Sequence, residues 1–117
     1  MNFSEVYDLL ELARNTGKLA PLLSQLKKDD ERANGPFPLQ TPFALELDSG
    51  QILQSIRESL YVLLMEHFDQ YLNLMYAADV PERVFKSVQG SDAVEVAAQV
   101  TSILLKREWK KIEYRTR

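Results

Sequence analysis

The chain has 117 residues, 45% of them hydrophobic and 26% charged, a balance that supplies one core and excludes disorder along its whole length. It contains no cysteine, which excludes disulfides, thiolate zinc sites and cysteine nucleophiles. A net charge of −3 and a pI near 5.2 argue against nucleic acid as the main partner.

Residues 1–32 read as a helical hairpin. Ser4 can cap a first helix whose apolar positions, Val6, Leu9, Leu10 and Ala13, follow helical spacing. Asn15-Thr16-Gly17 is a stop signal. Leu19, Leu22, Leu23 and Leu26 mark a second helix, with Pro21 tolerable in its first turn. Its end, from Lys27 to Arg32, is charged and expected in solvent.

In residues 33–47, Asn34-Gly35-Pro36, Pro38 and Pro42 forbid a continuous helix. Phe37, Leu39, Phe43, Leu45 and Leu47 are too apolar for a flexible linker. An ordered loop pinned over a hydrophobic surface is expected, and the alternation over 43–47 leaves a short edge strand open.

Residues 48–117 carry the strongest pattern. Asp48 and Gln51 fit a capping box at the start of a helix over about 49–77. Asp79-Val80-Pro81-Glu82 stops it and begins a short helix that Gly90 ends. Ser91 can cap a last helix over about 91–114. The two long helices are expected to pack antiparallel. The fold class is therefore all-α, one domain over 1–117 built as a bundle of about five helices. The unbroken apolar run that includes Tyr61 to Met65 and begins at Leu60 is far short of a membrane span. The first residues lack the pattern of a secretory signal, so a cytoplasmic setting without membrane partners is expected.

His67, the single histidine, falls in the apolar sector of the 49–77 helix. It is either a neutral core histidine bonded to a neighbour or a buried base or ligand. The first reading leads. Glu66 and Asp69 point elsewhere on the wheel, and Leu64 stands where a helical di-iron motif needs glutamate. If the long helices fold back near residue 84, Thr101 faces His67. The same estimate brings Glu108, inside the apolar sector of the last helix, towards Arg57. The alternatives for Glu108 are a frayed helix end in water and a perturbed carboxylate acting as an acid.

Val96, Ile103 and Tyr114 form a second apolar stripe on the last helix, with Trp109 between the two stripes and Lys110 beside it. Val96, Ile103, Trp109, Lys110 and Tyr114 are the candidate partner-binding residues. Packing against the 33–47 loop or the first hairpin is the plainer use of that stripe. Residues 106–117 carry six basic side chains against Glu108 and Glu113, a net of +4, while the rest of the chain carries −7. These cations either complete the carboxyl end of a helix or meet an anionic partner.

There is no phosphate-cradling glycine loop, Gly-x-Ser-x-Gly elbow or metal-ligand cluster. A helix-turn-helix over 81–105 would open its recognition helix with Asp92 and Glu95, which repel phosphates. No catalytic, cofactor-binding or metal residue is assigned, and no cofactor is expected. The expected function is a non-enzymatic helical protein-interaction or homo-oligomerisation module, with a homodimer leading. The alternative is a small-molecule-binding or enzymatic helical domain with a pocket near His67 and Tyr71.

Overall fold

The computed structural model describes residues 3–35, 47–86 and 92–115. They form six helices: α1 (Phe3–Asn15), α2 (Leu19–Ala33), α3 (Ser49–Glu66), α4 (Phe68–Ala77), α5 (Glu82–Lys86) and α6 (Ala93–Arg115). No strand occurs among the described residues. The all-α bundle expected from the pattern is thus present. Most of the proline-containing loop, the 43–46 part of the possible strand, Gly90 and Ser91 lie outside the described residues.

The hairpin is built as its sequence dictates. Val6, Leu10 and Ala13 of α1 face Leu19, Leu22, Leu23 and Leu26 of α2 within one buried cluster. Gly17 ends α1 at φ +72°, with its N–H on the Arg14 carbonyl and that of Lys18 on the Ala13 carbonyl. That bond pair needs a left-handed residue, which glycine adopts without strain. Asp79 does the same after α4 at φ +61°, and Val80 closes the turn on the Met75 carbonyl. Aspartate is among the few residues with a side chain that tolerate this backbone.

The capping box forms in full. Gln51 N–H donates to Asp48 Oδ1 at 2.8 Å, and Asp48 N–H donates to Gln51 Oε1 at 3.1 Å. Asp48→Ala should lower the unfolding free energy by about 1 kcal/mol. Urea denaturation checks this, and an unchanged midpoint would mean that water caps the helix as well as the carboxylate does. At the start of α6 the cap is Asp92, whose Oδ1 accepts from Glu95 N–H at 2.8 Å.

The 49–77 stretch differs from expectation. It is not one rod but two helices that meet at His67, where the backbone turns to φ −141°, ψ 58°. The break divides the labour. α3 packs along α6 and against α1, whereas α4 lies on α2. One straight rod could not bury Ile56 and Leu60 against α6 and also bury Leu74 and Met75 on the side of α2. α6 is the central element, touching α1, α2 and α3, so its buried surface is wide: Ala97, Val100, Thr101, Leu104, Leu105, Glu108 and Ile112.

Candidate functional site

The least ordinary feature of the core is a charged cluster between α2 and α6. On α2 the buried stripe runs Leu22, Leu26, Asp29 and Ala33, so the helical period carries Asp29 inward. On α6 the stripe Leu104, Leu105, Glu108 and Ile112 does the same for Glu108. Both carboxyls are 0% exposed. The expected solvation of the Lys27–Arg32 end therefore fails at Asp29, which is buried because it occupies a core position of its helix.

Lys111, one turn beyond Glu108, reaches between them. Its Nζ donates to Asp29 Oδ2 at 2.7 Å and stands 3.4 Å from Glu108 Oε1 and 3.8 Å from Asp79 Oδ2. Asp29 Oδ1 accepts from Gln25 Nε2 at 3.1 Å, with Arg32 Nη1 at 3.5 Å. The cation beside Glu108 is thus Lys111 and not Arg57. Arg57 lines a groove with Val94 and Ala97, near the opposite end of α6. The fold-back estimate treated 49–77 as straight, and the break at His67 shifts the pairing of α3 with α6.

Burial pushes the Glu108 carboxyl up to about 9; the neighbouring Asp29 carboxylate adds to the rise and Lys111 opposes it. Among the described residues neither Glu108 oxygen accepts a hydrogen bond. That suits a carboxyl which keeps its proton and turns it towards Asp29. With Glu108 protonated, the Lys111 ammonium faces one carboxylate at its 2.7 Å contact, that of Asp29. A protonated acid near neutrality is what general acid catalysis uses. Glu108 does not line the neighbouring groove.

That groove, about 710 Å³, lies outside the cluster at the carboxyl end of α6. Lys111 forms part of its wall with Gln25, Arg107, Lys110, Tyr114 and Arg115, and Glu113 is the one acid. Arg115 donates to the Gln25 side-chain oxygen.

The candidate partner-binding residues separate. Val96, Ile103 and Trp109 are half-buried and pack against the core. Lys18 from the first hairpin stands 5.6 Å over the Trp109 ring. Lys110 and Tyr114 are exposed and both line the basic groove.

His67 is half-buried at the helix break rather than in the core. Its expected partner Thr101 instead donates to the Ala97 carbonyl of its own helix at 2.7 Å. A shallow groove of about 420 Å³ runs past His67 with Asn34, Glu66, Asp69, Gln70 and Asn73. Tyr71 is not part of it. Tyr71 is buried with its ring edge-on to Phe85 at 6.4 Å, and burial pushes its phenol up to about 12.

A different surface lies on α3. Glu58, Tyr61, Val62 and Met65 repeat at one-turn spacing on an outer face, and Val94 of α6 lines one groove with Glu58, Tyr61 and Val62. Met65 is 58% exposed and Val94 56%. Among the described residues no group of three His, Asp or Glu side chains is placed to hold a metal ion. No described helix is long and apolar enough to cross a membrane. No family model, no characterised protein and no solved structure matches the chain.

Proposed function

We propose that this chain is a non-enzymatic helical interaction module that pairs with a second copy of itself through the outer face of α3. The observation that carries this reading is the exposed apolar trio Tyr61, Val62 and Val94 lining a groove of about 360 Å³, with exposed Met65 one turn further along α3. Single exposed apolar side chains are ordinary, whereas a contiguous strip favours an interface. Its rim carries Arg57 and Glu58, one charge of each sign. A rim of balanced sign does not repel its own copy, and twofold packing can set each Arg57 towards the other Glu58. The reading includes a cytoplasmic setting, with which the cysteine-free composition is compatible.

Sedimentation equilibrium from micromolar to millimolar protein tests the pairing. The wild type should dimerise, and V62D/M65D should weaken the dimer at least tenfold while keeping its circular dichroism. A strict monomer at millimolar concentration overturns the reading.

A second reading is favoured by the polar groups that converge beside His67, namely Asn34, Glu66, Asp69, Gln70 and Asn73. It places a small polar ligand there.

A further inference from the structure

The basic groove of α6 has no place in the pairing of α3 faces. Among its described wall residues four are cations, Arg107, Lys110, Lys111 and Arg115, against the single Glu113. Lys111 is already neutralised by Asp29. Arg115 is held by the neutral Gln25 and has no carboxylate partner among the described residues. Among the described residues Arg107 and Lys110 have no ion-pair partner, and Arg107 Nε is buried without a hydrogen-bond acceptor.

Charge balance does not explain this. The chain has 17 acidic and 14 basic residues, so carboxylates are in excess. Three cations elsewhere find them: Lys106 with Glu5, Lys86 with Glu82, Arg14 with Glu11. The helix dipole explains Arg115 but not Arg107. Arg107 stands two turns before the helix end, and the dipole acts within the last turn. A buried guanidinium donor without an acceptor costs free energy that an incoming oxyanion would recover.

We infer that this groove receives an acidic peptide segment of a partner protein, with Arg107, Lys110 and Arg115 pairing its carboxylates and Tyr114 packing on an apolar neighbour. The span argues for a peptide over a compact anion. From Arg107 to Arg115 the helix rises about 12 Å, which an extended chain of about four residues covers. One phosphate cannot engage cations so far apart. Tyr114, 76% exposed in the same groove, offers an apolar contact that an inorganic anion does not use.

The test is an amide chemical-shift titration of the full chain with a blocked Glu-Glu-Leu-Glu peptide, and separately with inorganic phosphate. The expected result is peptide-dependent shifts confined to residues 107–115 and Gln25. The peptide affinity should fall about tenfold or more in R107Q/K110Q and stay unchanged in R83Q, a control at an exposed α5 position. Binding should also weaken steeply with salt. Phosphate binding as tight as the peptide would overturn the inference in favour of a compact-anion site. Shifts scattered over the surface, or an affinity unmoved in R107Q/K110Q, would overturn it outright. Because the α3 face is remote in sequence from these substitutions, loss of the dimer and loss of peptide binding are read independently.

Discussion

Lys111→Met should cost about 3 kcal/mol of unfolding free energy at neutral pH, the largest single effect expected at any residue of the charged cluster. Among the described residues the ammonium is the one close cation on Asp29 Oδ2, and it also faces Glu108 Oε1. Asp29 is fully buried, so water cannot take over from the lost partner. Gln25 and Arg32 both bind the other oxygen, Oδ1, and Arg32 is mostly exposed; neither replaces Lys111. The cost therefore comes from the stranded carboxylate more than from the lost pair. It follows that Asp29→Asn added to Lys111→Met should restore more than half of the loss, because the uncompensated charge goes with it. Urea unfolding of the two single variants and the double variant closes the cycle. Independent, additive losses would show that Asp29 and Lys111 do not act as a pair.

Glu108→Gln should stabilise the protein at and above neutrality and leave it nearly unchanged in mild acid. The sign follows from where the proton is held. In the fold the Glu108 carboxyl is raised to about 9 from an ordinary value of 4.5, so the native state binds a proton that the unfolded chain releases. Its contribution is complete below about pH 4.5 and is lost as the pH rises towards 9. Glutamine keeps the shape, can donate to Asp29 as the protonated acid does, and has no proton to lose. The stability difference between variant and wild type should therefore grow by about 2–4 kcal/mol between pH 5 and pH 8. Other titrating groups are common to both proteins and cancel in that difference. Parallel pH profiles would mean that Glu108 is ionised in the folded protein.

The sequence made most helices legible because their ends carry chemistry. Gly17, the Asp48–Gln51 box and the Asp79-Val80-Pro81 turn all act where their residue types require. The break at His67 was not legible. No proline or glycine marks it, and both flanks continue one helical apolar pattern. It arises because α3 and α4 pack on different partners, a tertiary demand that local spacing does not record. That omission also misplaced His67 opposite Thr101 and Glu108 opposite Arg57. Asp29 was legible in principle: it sits seven residues after Leu22 and three after Leu26, on the buried stripe. Its place inside a run of charged residues, from Lys27 to Arg32, concealed it. The basic groove was legible only as charge, since the pairing of individual cations needs coordinates.

The leucine-rich contact between the first hairpin and the last helix has little to say about alignment. Leucine against leucine tolerates sliding by a turn, as cores of similar volume generally tolerate rearrangement. A carboxylate with one matching ammonium does not. Asp29 comes from the first third of the chain and Lys111 from its last turns. A slip of one turn, about 5.4 Å, would leave both groups unmatched in the interior. The cluster thus penalises any other seating of the amino-terminal hairpin on α6, and Lys111, which also lines the groove, ties the groove wall to that seating.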